Sequence, residues 1–333
     1  MNYSSKDIAV VILNWNGKAL LEQFLPLVIL YSAEAKIYVA DNASTDDSVS
    51  FVTKNFPEVK IIQNTENGGY AKGYNDALKQ VDAPILCLLN SDIEVTKDWL
   101  LPVVEKYNTD NVAIIQPKIL DYKKKSHFEY AGAAGGFIDK YSYPYCRGRI
   151  FDTIEEDKGQ YNETSDILWA SGACFFIKNE VFKTLNGFDE SYFAHMEEID
   201  LCWRAFNNNY SSKYVGASTV YHVGGATLQN TNPRKTYLNF RNSLFTLVKN
   251  TDRNVLSRVL IRMILDGIAG IRFLLKGQPS FFFSVLKAHG SFYASLPKLL
   301  KQRRTLKKKP GYYNRTSIVW DYFIKKKQKF DCL

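Results

Sequence analysis

Polar clusters follow three short apolar runs early in the chain, and their residue types suit binding of a polar ligand. The apolar runs are 8–13, 36–40 and 84–89, and the clusters after them are 14–17, 41–46 and 90–94. Runs of this length and composition predict buried strands. Because ligands of open α/β sheets bind outside the carboxyl ends of the strands, the clusters predict one site at a common edge.

The second cluster lies between a predicted strand and a predicted helix. A carboxylate at Asp41 can accept hydrogen bonds from ribose hydroxyls or a base N–H, as acidic residues after strands do in nucleotide-binding folds. The structural alternative is a turn formed by Asp41 and Asn42, with Asp46 capping the next helix. The residues alone leave both interpretations open.

The segment NGGYAKGYN at 67–75 is a glycine-rich loop that opens a helix. Free N–H groups and the helix dipole favour a phosphate at such a position. The loop is not a Walker A sequence, and it follows the third strand instead of the first, so the dinucleotide fingerprint is not met. The structural alternative is a tight turn that needs a positive φ angle.

Acidic and histidine residues supply candidates for metal binding and proton transfer. Asp92 follows a buried strand and is a candidate ligand for Mg²⁺ or Mn²⁺; the alternative is a helix cap for 96–104. Glu197, Glu198 and Asp200 lie in an aromatic setting, where mutual repulsion raises a carboxyl pKa towards that of a general base; the alternative is a solvated helix face. His222, by itself, is typical of a satisfied core residue.

The order of the predicted elements places these residues on an α/β fold. Strands and helices alternate through the first ninety residues, which predicts a parallel sheet between helices. Residues 121–166 are predicted to be a loop-rich insertion, and 195–207 a helix. Strands stop near residue 235, so we divide the chain into a first domain, 1–235, and a helical, basic region, 236–333.

Composition excludes several classes of protein. The 333 residues are 46% hydrophobic and 23% charged, which argues against disorder. Five scattered cysteines without a CxxC pair favour neither a zinc ribbon nor a disulfide framework, and no signal peptide is predicted, which favours the cytoplasm. The net charge of +9 lies entirely in 301–333, which argues against nucleic-acid binding by the main domain.

The apolar segment 255–275 is predicted to be a helix that does not span a membrane. Its four charges fall within about a third of the helix circumference and are Arg258, Arg262, Asp266 and Arg272. This pattern predicts a helix that lies on a membrane or packs on the domain. The aromatic and basic residues that follow suit an anionic cytoplasmic leaflet, and the alternative is a solvated basic tail.

Six stretches, taken in order, resemble the family 2 glycosyltransferases, and within them the subgroup of bacterial rhamnosyltransferases and related cell-surface polysaccharide enzymes. The matching stretches are VVILNWNG (10–17), VADNASTDDS (39–48), NGGYAKGYNDAL (67–78), LLNSDIEV (88–95), 169–205 and YHVGG (221–225). The resemblance covers about residues 7–245. It implies the GT-A fold, a Rossmann-like α/β architecture whose mixed, mostly parallel sheet is flanked by helices, here with a C-terminal helical extension.

The resemblance also implies donor and metal contacts. Asp41 would bind the base or ribose, with Asn14 and Asn16 in the loop that approaches the nucleotide. Asp92 matches the last Asp of the DxD element, which holds a divalent cation, Mn²⁺ or Mg²⁺, against the donor diphosphate; Asn90 stands where many members have Asp. The remaining predicted donor contacts are Asn67, Lys72, Asn75, Ser91, Trp169, Ser171 and Gly172.

The segment MEEIDLCWR matches the family's ED motif and implies the base. Glu198 stands at the Asp position of that motif and is the candidate base, with Glu197 and Asp200 as alternatives. His222 matches a histidine that helps to coordinate the metal or the diphosphate.

The expected function is therefore inverting sugar transfer from a nucleotide-diphosphate donor to a hydroxyl. The resemblance favours dTDP-rhamnose or a UDP-sugar as donor, and a saccharide or lipid-linked saccharide as acceptor at an anionic membrane surface. A nucleotidyltransferase normally has a glycine-rich, basic loop after its first strand, which NWNG is not. The non-enzymatic alternative is a sugar-nucleotide-binding or scaffold protein with a decayed site.

Overall fold

A computed structural model of the chain describes residues 2–224 and 232–333. The strands are β1 (Ile8–Asn14), β2 (Lys36–Asp41), β3 (Lys60–Gln63), β4 (Ile85–Asn90), β5 (Ile93–Val95), β6 (Ile114–Asp121), β7 (Gly136–Ile138), β8 (Pro144–Cys146), β9 (Arg149–Ile150), β10 (Thr153–Ile154), β11 (Ser165–Ile167), β12 (Cys174–Lys178) and β13 (Ser212–His222). The α-helices are α1 (Lys18–Tyr31), α2 (Ser48–Asn55), α3 (Gly69–Leu78), α4 (Leu101–Thr109), α5 (Asn179–Thr184), α6 (Glu197–Asn207), α7 (Pro233–Asn250), α8 (Val255–Leu275) and α9 (Pro279–Thr305).

The main sheet has the order β11-β13-β6-β12-β4-β1-β2-β3, with β5 paired to β13. Strands β4, β1, β2 and β3 are parallel neighbours, so their carboxyl ends lie at one edge. Strand β12 runs antiparallel between β4 and β6. The predicted mixed, mostly parallel sheet is thus confirmed. We call the loops after β1, β2 and β4 the strand-end rim, residues 14–17, 41–46 and 90–92.

Helices cover both faces of this sheet, which explains why its central strands are apolar throughout. Side chains of β1 alternate between the faces. Ile8, Val10 and Ile12 belong to a buried cluster with residues of α1, α2 and α4. Ala9 and Val11 belong to a second cluster with residues of α3, α5 and α6. A strand buried on both faces has no polar positions until it reaches its end, where the rim begins.

The structure differs from the sequence predictions in three segments. Residues 121–166 are not merely loops, because they contain a small antiparallel sheet of β7 to β10. The helix predicted at 96–104 begins only at Leu101, and β5 follows Asp92 directly, so the helix-cap interpretation of Asp92 is wrong. Helix α6 begins at Glu197 and not at His195 because the preceding residues have left-handed backbone.

The C-terminal helices share the core of the sheet domain. Leu244 and Leu247 of α7 and Phe292 of α9 are buried in the same cluster as Tyr74 of α3 and Trp203 of α6. The division of the chain near residue 235 therefore stays a prediction. Among the described residues, no helix combines the length and the apolar character needed to cross a bilayer.

Candidate active site

The ends of β1 and β2 carry Asn14 and Asp41 side by side. The parallel register pairs the two residues, and Asn14 Nδ2 donates to Asp41 Oδ1 at 3.1 Å. The N–H of Ser44 donates to the other carboxylate oxygen at 2.9 Å. Both side chains are buried, yet Asn14 Oδ1 has no hydrogen-bond partner in the described part of the chain. A carboxylate with spare lone pairs beside an unpartnered amide oxygen fits the hydroxyl and N–H donors of a nucleoside.

Asn16 and Asp46 connect the loops after β1 and β2. Asn16 has φ 50°, and its Oδ1 accepts from the N–H groups of Thr45 at 2.7 Å and Asp46 at 3.3 Å. The Asp46 carboxylate accepts from the N–H groups of Lys18 at 3.1 Å and Ser48 at 3.0 Å, the first residues of α1 and α2. Asp47, and not Asp46, is the N-cap residue of α2, and Asp46 satisfies the first N–H group of the helix from one position earlier. These hydrogen bonds tie the loops after β1 and β2 together.

The glycine-rich loop is bound by the protein itself. Gly69 has φ 76°, and a Cβ there would lie 2.4 Å from the carbonyl oxygen of Phe193. The N–H of Tyr70 donates to that carbonyl at 2.8 Å, and the N–H of Gly69 donates to Asn67 Oδ1 at 3.0 Å. The tight turn is therefore confirmed at Gly69, and these two N–H groups do not face a phosphate.

Three further predicted donor contacts are engaged inside the protein. Lys72 forms ion pairs with two nearby carboxylates. Asn75 and Trp169 each donate to a backbone carbonyl at 2.9 Å, and Trp169 is only 3% exposed. These contacts explain the three residue types without a ligand, and a donor role for them stays a prediction.

Asp92 and His222 lie together although they are distant in the sequence. Strand β5 pairs with the end of β13, which places His222 opposite Ile93. His222 Nε2 lies 3.1 Å from Asp92 Oδ1, and both side chains are buried. Two adjacent ligands at about 2.1 Å from an octahedral cation are about 3 Å apart, so this pair fits two positions on Mn²⁺ or Mg²⁺. Asn90 and Ser91 precede it, partly exposed.

The remaining ligands of such a cation would come from the donor diphosphate and water. Within residues 2–224 and 232–333, no three His, Cys, Asp or Glu side chains are arranged to enclose a metal ion. Cations of this type commonly bind one or two protein groups plus substrate phosphates, which agrees with the pair found here. Gly225 of the YHVGG stretch lies outside the described residues.

Glu129 contacts the second ring nitrogen of His222, and the sequence analysis did not identify it. Its Oε1 lies 3.3 Å from His222 Nδ1. Burial alone would lower the pKa of His222, but the carboxylates of Glu129 and Asp92 outweigh burial and raise it to about 10. A carboxylate behind a metal-binding histidine fixes the ring and increases its basicity. Glu129 stands in the insertion, where no motif marks it.

Glu197 and Glu198 begin α6 with perturbed acidities. Burial, reinforced by the charge of Glu198, raises the pKa of Glu197 well above its ordinary value. Burial also raises the pKa of Glu198 to about 7, against the lowering effect of the N–H groups at the helix start. One oxygen of each carboxyl is buried without a partner among the described residues. Glu198 is the more exposed of the two, so it is better placed to accept a proton near neutral pH.

Left-handed backbone precedes α6 and positions the two glutamates. Phe193, His195 and Met196 have φ angles of 65°, 69° and 74°. Non-glycine residues in such conformations cost about 1–3 kcal/mol each and cluster at functional sites. Asn242 of α7 holds the segment in place, because its side-chain amide donates to the carbonyls of Ala194 at 2.9 Å and His195 at 2.7 Å.

A series of hydrogen bonds runs from Tyr70 of α3 towards the Asp92–His222 pair. Burial and nearby charges, including that of Glu198, raise the pKa of Tyr70, whose hydroxyl donates to the carbonyl of Gly172 at 2.8 Å. The neighbouring Ser171 hydroxyl donates to the carbonyl of Ala131. The N–H of Ala131 in turn donates, at 2.5 Å, to the carboxylate that contacts His222. These hydrogen bonds run from Tyr70 to Glu129, whose carboxylate contacts His222.

A family model described as "Glycosyl transferase family 2" matches residues 9–185, more than half of the chain. The chain belongs to this family. It has the GT-A fold, and the predicted family and fold class are confirmed.

Similar proteins agree with this assignment. The chain is 24% identical over 210 residues to the low-salt glycan biosynthesis hexosyltransferase Agl10 of Haloferax volcanii, covering 61% of this chain and 62% of that protein. It is 24% identical over 234 residues to N-acetylglucosaminyl-diphospho-decaprenol L-rhamnosyltransferase of Mycobacterium tuberculosis, covering 65% and 75%. The match thus spans somewhat less than two thirds of Agl10.

A solved structure shows the same fold. The mannosyltransferase PcManGT of Pyrobaculum calidifontis, in complex with GDP-Man and Mn²⁺, superposes with a TM-score of 0.53 at 12% identity, over 86% of this chain and 87% of that one. At this identity the likeness concerns the fold alone.

Asp200 occupies a different environment from the two glutamates. It is fully buried, and its oxygens lie 2.8 Å from Arg204 Nε and 2.9 Å from Lys249 Nζ. Burial would raise the pKa of Asp200, but the charges of Lys249 and Arg204 outweigh it and hold the pKa below its usual range. Both oxygens are committed to these cations, so the geometry gives Asp200 a structural role and disfavours it as the base.

We expect Asp200→Ala to destabilise the fold by about 3–5 kcal/mol, because it leaves part of a buried ion cluster unpaired. Urea unfolding followed by tryptophan fluorescence measures the change in unfolding free energy. Asp82→Ala, at an exposed position, is the matched control and is expected to change it by less than about 0.5 kcal/mol. An Asp200→Asn protein with normal stability but no activity would instead support Asp200 as the base.

Proposed function

We propose that the protein is an inverting glycosyltransferase that uses a nucleoside-diphosphate sugar, with dTDP-rhamnose or a UDP-sugar as the favoured donor. The acceptor is a hydroxyl of a saccharide or a lipid-linked saccharide. The observation that supports this best is Glu198, an incompletely satisfied carboxyl at the start of α6 whose pKa is raised to about 7. The buried Asp92–His222 pair supplies the candidate cation site. Asp41 and Asn14 supply a nucleoside site on the same rim.

Glu198 would act as the general base. An acceptor hydroxyl has a pKa far above neutrality, so a carboxylate takes its proton as the oxygen forms a bond to the anomeric carbon. The bond from that carbon to the diphosphate oxygen breaks in the same displacement, which inverts the configuration. The nucleoside diphosphate leaves with the electron pair of the broken bond.

Asp92 and His222 would hold the divalent cation, oriented by Glu129 behind the imidazole. When bound, the cation neutralises charge that develops on the leaving diphosphate. Such a cation would replace the proton that His222 Nε2 shares with Asp92. The Mn²⁺ in the complex of PcManGT supports this role.

A lipid-linked acceptor would bring the enzyme to a membrane. The mycobacterial relative is named for a decaprenol diphosphate substrate, which supports this choice for a chain 24% identical to it. We place the enzyme in the cytoplasm, on the inner face of the cytoplasmic membrane; all five cysteines are free thiols, as suits a reducing compartment.

A thermal-shift panel tests the donor. We expect UDP or dTDP to raise the melting temperature, with a larger rise when Mn²⁺ is present, since a ligand at 100 times its Kd adds about 2.7 kcal/mol of stability. GDP and NAD serve as comparison nucleotides. A folded sample that responds to no nucleotide would contradict the proposal and favour a decayed scaffold protein of the same fold.

A further inference from the structure

Helix α8 turns three of its four charged residues towards the protein and its apolar stripe towards solvent. Arg258, Arg262 and Asp266 are at most 4% exposed. The opposite face has eight large aliphatic side chains that are 39–84% exposed, namely Leu256, Leu260, Ile261, Ile264, Ile268, Ile271, Leu274 and Leu275. We call these eight residues the α8 apolar face. A helix on the surface of a soluble protein normally shows the reverse arrangement.

Buried polar contacts fix this orientation. Asp266 Oδ1 accepts from Arg262 Nε at 2.8 Å and from the hydroxyl of Tyr143 at 2.7 Å. One turn earlier, Arg258 pairs with Asp252 at 3.0 Å and contacts the hydroxyl of Tyr312 at 2.6 Å. Turning α8 to bury its aliphatic side would break these contacts. The remaining partners would be unpaired buried charges, which strongly destabilise a fold. The α8 apolar face is therefore a stable outer surface.

The face is too long to be explained by scattered surface residues. Its members recur at each turn from Leu256 to Leu275, over about 30 Å at 1.5 Å per residue. Single exposed aliphatic residues are ordinary in soluble proteins, whereas a continuous apolar surface marks an interaction site. Helix α9 adds the exposed rings of Phe283 and Tyr293.

Charge and aromatic residues beside the face favour a lipid bilayer as its partner. Arg272 is exposed on α8 and its guanidinium lies 4.9 Å from the ring centroid of Phe323. The short helix Trp320–Ile324 that contains this ring also has the exposed Trp320, and exposed Lys325 and Lys326 follow it. Tryptophan and basic residues beside an apolar helix face are typical of helices that lie in the interface of an anionic membrane.

We infer that the α8 apolar face, together with residues 320–326, docks on an anionic lipid bilayer. A second copy of the chain fits less well, because its excess positive charge would meet a like charge. The docking surface deepens the proposed function, since it would bring the active site to a lipid-linked acceptor. It includes part of the basic region 301–333, but most of the surface is the α8 apolar face.

Part of that basic tail is committed to the protein. Arg303 donates to the carbonyls of Val248 at 2.9 Å and Thr251 at 2.5 Å, and the Lys308 ammonium contacts the carbonyls of Arg303 and Leu306. These cations hold the C-terminal segment against α7 and α9, so membrane binding is expected to depend chiefly on the α8 apolar face.

Flotation with lipid vesicles tests the inference on the full chain. We expect binding to phosphatidylcholine vesicles that contain phosphatidylglycerol, and weaker binding to phosphatidylcholine alone. Ile264→Asp/Ile268→Asp is expected to reduce the partition coefficient at least about tenfold, because two aliphatic side chains that would be buried in the bilayer are replaced by charged ones. Leu30→Asp/Leu101→Asp, at positions that are 63% and 57% exposed on α1 and α4, is the matched control and should bind as the wild type does.

Two outcomes would overturn the inference. One is equal vesicle binding by the α8 double variant and the wild type. The other is an absence of vesicle binding with a dimer in light scattering that the α8 variant dissociates, which would assign the face to a second copy. An Ile268→Trp protein gives an independent readout, because its emission should shift to the blue when vesicles are added. Nucleotide thermal shifts, unchanged in all these variants, test the proposed function separately.

Discussion

A Glu198→Gln enzyme is expected to lose about 10²–10⁴-fold in kcat while it binds the donor nucleotide as the wild type does. The amide keeps the size of the side chain but cannot take the proton of the acceptor hydroxyl. Single-turnover assays with the preferred donor measure the rate, and the nucleotide thermal shift measures binding. Glu197→Gln is the informative comparison, because this neighbouring carboxyl is buried more deeply.

The pH dependence of kcat is a second test of Glu198 as the base. Since the pKa of Glu198 is raised to about 7, the carboxyl is protonated and inactive at lower pH, so kcat should rise with pH up to about 7 and then level. The raised pKa also means that ionisation is easier in the unfolded chain, so Glu198→Gln should be no less stable than the wild type at pH 8. A normal rate in Glu198→Gln with a lost rate in Glu197→Gln would transfer the role to Glu197.

An Asp92→Asn enzyme is expected to lose at least about 100-fold in kcat/KM, together with the extra thermal stabilisation that Mn²⁺ gives to the nucleoside diphosphate. The substitution removes the one carboxylate of the proposed metal pair, and cation stabilisation of a developing charge is worth several kcal/mol, at 1.4 kcal/mol for each tenfold. Asp98→Asn, at an exposed position with φ 61° that suits asparagine, is the matched control.

A Glu129→Gln variant provides a comparison for Asp92→Asn. Because Glu129 contacts His222 from behind and not the cation position, Glu129→Gln should weaken Mn²⁺ affinity by about 10–100-fold and leave saturated activity largely intact. A Mn²⁺ titration of activity separates the two variants. Full activity of Asp92→Asn without added metal would contradict the proposed cation site.

The sequence analysis located the rim because the main strands are buried on both faces. Such strands read as unbroken apolar runs, and their ends are visible as an abrupt change to polar residues, as at Asn14, Asp41 and Asn90. Asp92 and His222 could be related only through the resemblance, because their approach depends on the pairing of β5 with β13. The distance between Asp92 and His222 and the burial of both side chains could be determined only from the structure.

Other parts of the site left no local signal. Glu129 lies in a segment that folds through short antiparallel pairs and contacts to distant strands, which a single sequence does not display. For the glycine-rich loop the sequence left two alternatives, and the structure confirms the tight turn at Gly69, where the carbonyl of Phe193 leaves no room for a Cβ. The charge of Lys72 is paired with nearby acids, a contact that the sequence does not display.

The hydrogen bonds from Asn242 to the loop before α6 determine where the chain can be truncated. The carbonyls of Ala194 and His195, a few residues before the candidate base, are held by Asn242, a residue beyond position 235. This loop and Asn242 both follow the family-matched residues 9–185. The recognisable motifs therefore do not make up a self-sufficient catalytic unit. A transplanted or truncated version of the motif-bearing part would lack the anchor that sets the direction of its own glutamates, so the smallest functional piece must extend through α7.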